Sequence, residues 1–127
     1  MPAYSNTFSP NSIDAGDSVT VWATADGNLI SGTKTQRVAL VQRADGGATK
    51  LSFRVLFSGA PGAISLQLQT ADFDTDADYS SEGSPVTTLN QGGNEARGEV
   101  TLVSARFARI LAGTVTNAVT ATIDITG

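Results

Sequence analysis

The sequence predicts an all-β protein, an antiparallel β-sandwich of jelly-roll type with about eight strands. Three observations carry that expectation. Residues 51–74, LSFRVLFSGAPGAISLQLQTADFD, hold two alternating runs. Leu51, Phe53, Val55 and Phe57 share one face of the first; Ile64, Leu66 and Leu68 share one face of the second, with Ser65, Gln67 and Gln69 opposite. Residues 119–126 alternate as cleanly, with Val119, Ala121, Ile123 and Ile125 against Thr120, Thr122, Asp124 and Thr126. Threonine, serine, glycine, valine and alanine dominate, a mix that suits strands and turns and offers few long helix formers. A sheet with one apolar face needs a second layer to cover it, so two packed sheets are expected rather than a small closed barrel. No repeat at a fixed period points to a solenoid or propeller.

Taken in order, residues 1–16 show no sustained period, although Tyr4 and Phe8 are apolar anchors, and they read as an extended arm outside the 17–127 sandwich. Residues 18–23 alternate as a strand, which sets Val19, Val21 and Ala23 on one side and Thr20 and Trp22 on the other; Trp22 is read as a core residue. Turn compositions at 25–28 and 31–34 leave at most a short strand at Leu29 and Ile30. The short apolar run in residues 37–43 predicts a strand buried at its centre, and Ala44-Asp45-Gly46-Gly47 reads as a hairpin turn into the strand from Leu51. Ser58-Gly59-Ala60-Pro61-Gly62 reads as a second hairpin turn, between the two runs of 51–74. An acidic connection, a short strand at 86–89 and a turn at 90–94 follow. Residues 98–103 and 105–111 are read as strands, the second ending in a turn at Ala112-Gly113-Thr114. The strand at 119–126 closes the chain.

With 127 residues, 40% of them hydrophobic and 16% charged, one domain with a sizeable core is expected. The net charge of −4 and scattered Lys and Arg residues argue against nucleic acid or an anionic membrane as partner. Cysteine and histidine are absent, which removes disulfides, thiolate metal sites and histidine-based nucleophilic catalysis. No run of about 18 apolar residues marks a membrane span. Residues 1–6 lack the basic start and apolar stretch of a secretory signal.

Asp72, Asp74, Asp76, Asp78 and Glu82 concentrate carboxylates in one short segment. A helix-loop-helix calcium site would need glycine at the sixth position and glutamate at the twelfth; counted from Asp72 these are Ala77 and Gly83, counted from Asp74 they are Tyr79 and Pro85. The two readings that stay open are a looser loop site for a cation and, favoured, a solvated acidic connection; no metal or cofactor is assigned. Glu95 and Glu99 could supply a glycosidase carboxylate pair, but no aromatic cluster accompanies them and no catalytic residue is assigned. Arg106 and Arg109 flank Phe107 and read as strand-edge charges or as inter-subunit salt-bridge partners.

In residues 51–74 and in the C-terminal ARFARILAGTVTNAVTATIDITG, the chain resembles small β-sandwich structural proteins of tailed bacteriophages, of the capsid decoration or cement type. The resemblance implies a non-enzymatic virion protein on the capsid exterior. Its implied partners are the major capsid protein and further copies of itself, a trimer favoured over a dimer. Tyr4, Phe8, Arg106 and Arg109 are the candidate protein-contact residues. The longer insert at 74–85 departs from the family pattern. The alternative reading is a carbohydrate-binding or fibre and adhesin sandwich, for which exposed aromatics would be needed.

Overall fold

The computed structural model describes residues 11–13, 16–40, 49–102 and 105–127. The strands are β1 (Asn11–Ile13), β2 (Ser18–Trp22), β3 (Asn28–Leu29), β4 (Thr33–Lys34), β5 (Val38–Leu40), β6 (Thr49–Phe57), β7 (Ile64–Ala71), β8 (Ser80–Val86), β9 (Glu95–Leu102), β10 (Phe107–Val115) and β11 (Val119–Thr126). The described residues contain only single 3-10 turns besides, so no helix is long and apolar enough to cross a membrane.

Two sheets pack face to face. One runs β1-β5-β10-β7-β8 with β4 also on β10; the other runs β2-β11-β6-β9 with β3 also on β11. The eight principal strands pair as one long antiparallel hairpin would: β2 with β11, β5 with β10, β6 with β9 and β7 with β8. Rolling that hairpin up adds the pairs β11 with β6 and β10 with β7, which is the jelly-roll topology. The tip of the hairpin is the connection at residues 72–79.

This winding corrects both expected hairpins. β6 and β7 lie in different sheets, so the Ser58–Gly62 turn carries the chain across the sandwich. Two strands with one apolar face each can cover those faces side by side or facing each other, and alternation alone does not distinguish the two. β5 and β6 are likewise in different sheets, while residues 44–47 lie outside the described residues. The arm is also corrected in part. Asn11–Ile13 forms a parallel edge pair with β5, and Ile13 is buried in the core. Residues 1–10, with Tyr4 and Phe8, lie outside the described residues.

The inward alternation places Leu51, Phe53, Val55 and Phe57 opposite Ile64, Leu66 and Leu68, with Ile123, Ile125 and Ile110 completing the core. Three local irregularities shift what periodicity suggests. A bulge opposite Ile123 turns consecutive Val21 and Trp22 both inward, although the Trp22 indole nitrogen finds no hydrogen-bond partner among the described residues. Gly113 is the extra residue of a bulge inside β10, where a turn was expected. The strand expected at 86–89 lies earlier, at Ser80–Val86, with Gly83 and Pro85 within a sheet-edge strand that composition reads as loop.

Candidate functional site

The acidic segment turns out to be the tip of the rolled hairpin, folded back over the outer face of the β5-β10-β7 layer. Alternation along β7 and β10 sends Gln69 and Arg109 outward as a directly paired couple. Outward residues of a central strand are exposed unless something covers them. Here the tip does, and Arg109 is only 2% exposed. Arg109 is therefore neither a strand-edge charge nor free for a partner surface, because β10 lies inside its sheet and the guanidinium is engaged within the chain. Its Nη1 donates to Asp76 Oδ1 at 2.6 Å, its Nε donates to Gln69 Oε1 at 2.9 Å, and its Cζ lies over the Tyr79 ring, 4.1 Å from the ring centre.

A second buried cation repeats the arrangement. Arg37 Nε donates to Asp74 Oδ2 at 2.6 Å, and the Tyr79 hydroxyl donates to the other oxygen of Asp74 at 3.0 Å. Lys34, half-exposed, donates to both Asp76 oxygens at 3.1 Å. The Arg109 guanidinium, with the Lys34 ammonium behind it, holds the Asp76 carboxyl below the usual carboxylate range. Asp78 is spent on the backbone: its Oδ2 accepts from the amides of Asp72 and Phe73 at 2.9 and 3.0 Å. The carbonyl of Phe73 in turn accepts from the Thr75 amide at 2.8 Å. Thr70 donates to the Glu82 carboxylate at 3.0 Å, tying β8 to β7.

Asp74, Asp76, Asp78 and Glu82 thus face the chain's own donors. Asp72 is exposed, as is Arg106, which stands where the chain enters β10 and whose amide donates to the Ala71 carbonyl at 3.1 Å. Among the described residues Arg106 has no ion-pair partner, and no group of three or more acidic, histidine or cysteine side chains converges as a metal site would. What sequence reasoning missed is Phe73, 71% exposed at this tip. A signal for it was present: Phe73 continues the outward series of Gln67, Gln69 and Ala71, an aromatic on the polar register.

On the opposite sheet, Glu95 is 1% exposed and accepts from Arg54 Nε at 2.5 Å and from Arg97 Nε at 3.0 Å. Arg97 first, and Arg54 with it, lower the Glu95 carboxyl below its ordinary value. A glycosidase acid needs the opposite shift, and Glu99 is drawn to Lys50 at 3.1 Å. Beside them a groove of about 570 Å³ runs over Ser52, Phe53, Arg97, Gly98, Glu99 and Thr126.

No protein-family model matches the chain, and no curated protein is detectably similar in sequence. Among solved structures, the pre-peptidase C-terminal domain of a collagenase from Bacillus anthracis aligns over 93% of this chain and 93% of its own, at 13% identity and a TM-score of 0.47.

Proposed function

We propose that this chain is a non-enzymatic structural module that binds the outer surface of an assembled protein shell and reinforces it, as its resemblance to phage decoration proteins implies. One observation supports the reading best. The two buried arginines, Arg37 and Arg109, are spent on holding a surface connection rigid, through Asp74, Asp76 and Tyr79. Burying charge is costly, and a surface connection held down by buried cations is preorganised for contact. Repeated copies of one capsid surface would let each contact be weak while the shell as a whole gains stability. Self-association into a closed ring, a trimer rather than a dimer, fits a position at a symmetry axis.

The test is co-sedimentation of the purified protein with assembled capsid shells and, separately, with free capsid subunits, together with its mass by light scattering. Binding to shells alone, by a trimer, is the expected result. A monomer that ignores shells but is retained on a glycan column would replace this reading with the carbohydrate-binding one. Deleting residues 1–10 is expected to leave the melting transition in place while weakening shell binding.

A further inference from the structure

We infer that the outer face of the β2-β11-β6-β9 sheet carries a binding site for a sugar acid of the uronic acid type, in which Arg54 and Arg97 hold the carboxylate. The site goes beyond the shell-binding reading and does not rest on it, because it lies on the sheet opposite the tip.

The pairing of β6 with β9 builds the site. Alternation turns Phe53 inward against Gly98 and sends the neighbouring residues outward, Arg54 directly opposite Arg97 and Ser52 directly opposite Glu99. Gly98 has no side chain and the Phe53 ring faces the core, so backbone floors the groove of about 570 Å³ between those two outward pairs. Thr126 of β11, paired with Ser52, stands at its side. Like charges directly opposite on neighbouring strands repel. Here both arginines close on one carboxylate, that of Glu95, which is buried behind them and outside the groove.

Glu95 engages only part of what the two guanidiniums offer. It accepts from Nε of Arg54 and from Nε and Nη2 of Arg97. Both terminal nitrogens of Arg54, and Nη1 of Arg97, meet no acceptor among the described residues, on side chains that are 43% and 60% exposed. Asp124, opposite Arg54 on β11, accepts from the Thr20 hydroxyl at 2.5 Å and forms no ion pair with Arg54 among the described residues. One carboxylate against two guanidiniums leaves a positive charge uncompensated at the groove. The bonds to Glu95 also fix the guanidinium heads before any ligand arrives, which lowers the entropy cost of binding.

The planar fork of arginine matches carboxylate, sulfate and phosphate alike, so the rest of the groove selects among them. A single uncompensated charge balances a monoanion, whereas the nearby Asp124 and Glu99 carboxylates disfavour a dianion. At the end away from the arginines, the Glu99 carboxylate and the hydroxyls of Ser52 and Thr126 offer hydrogen bonds suited to hydroxyl groups. A carboxylate at one end and hydroxyls at the other describe a sugar acid. Ion pairing then replaces the aromatic stacking that a neutral sugar needs.

The experiment titrates the full chain with glucuronate, glucose, acetate and inorganic sulfate, following backbone amide shifts by NMR. Glucuronate is expected to move the amides of residues 52–54 and 97–99 saturably and to bind at least about tenfold tighter than acetate or sulfate, with no saturable response to glucose. Arg54→Lys and Arg97→Lys keep a cation beside Glu95 but lose the planar fork, so each should weaken glucuronate by about threefold or more without lowering the melting temperature. Arg106→Ala, on the other sheet, should bind as wild type. No saturable response to glucuronate, or lysine variants that bind it as tightly as wild type, would overturn the site. Equal affinity for acetate or sulfate would overturn the assignment to a sugar acid.

Discussion

Gly98 shows how a single missing side chain can decide packing. It lies opposite Phe53 in the β6–β9 pair, and a Cβ there would overlap the Phe53 ring and sit 2.8 Å from a Val86 methyl. Gly98→Ala is therefore expected to cost about 1–3 kcal/mol by chemical denaturation. A smaller residue at 53 makes room, so Phe53→Leu combined with Gly98→Ala should cost less than the sum of the two single changes; strict additivity would refute the overlap. In β11 the two faces are expected to separate sharply. Ile123 is fully buried and its truncation to Ala should cost about 2–5 kcal/mol, whereas Thr122→Ala on the outer face should cost less than about 1.

At the scale of elements, the β7–β8 connection behaves as a strap held by buried cations. The two ends of the Asp76–Arg109 pair are unequal: the Asp76 side chain is 54% exposed and Arg109 is 2% exposed. Removing the carboxylate takes a charged partner from a desolvated guanidinium, while removing the arginine leaves a carboxylate that water and Lys34 can serve. Asp76→Ala is accordingly expected to destabilise by about 1–3 kcal/mol, more than Arg109→Met does. The acid dependence has a definite sign. Because the folded pKa of Asp76 is depressed, its contribution is complete above the unfolded value of about 4 and is lost as pH falls through the lower folded value. Wild type and Asp76→Ala should therefore converge in stability on acidification, as followed by melting from pH 7 to pH 2. Since Asp74 and Asp76 face Arg37 and Arg109, adding calcium is expected to move the melting temperature by less than about 1 °C. A larger rise, abolished by Asp74→Asn with Asp76→Asn, would establish a metal site.

For the whole molecule, the rolled hairpin makes chain neighbours into sheet opposites. β1 and β2, β5 and β6, β6 and β7, β8 and β9, and β10 and β11 all change sheets, and among the principal strands only β7 and β8 follow one another within one. Most pairings therefore close long stretches of chain, from β2 with β11 inward, which is the arrangement expected to fold slowly for its size. Stopped-flow refolding in the millisecond to second range is the expected outcome, and microsecond refolding would contradict this account of the pairing.

The alternation of Leu51 to Phe57, Ile64 to Leu68 and Val119 to Ile125 was enough to establish an all-β sandwich and which side chains form its core. Burial of apolar faces is written in a period of two that any strand obeys. Alternation says which face is inward but not which strand lies beside it, so the turn at Ser58–Gly62 could be read as a hairpin when it is a crossing between sheets. Glycine and proline are equally ambiguous: Gly113 and Pro85 punctuate the sequence like turns, yet sit inside β10 and β8 because a bulge and a sheet edge tolerate them. The tip was legible only as a run of acids. That those acids would find Arg37, just before β5, and Arg109, at an outward position of β10, depends on elements that only tertiary pairing brings together. The same pairing buries the arginines and leaves Phe73 at the surface.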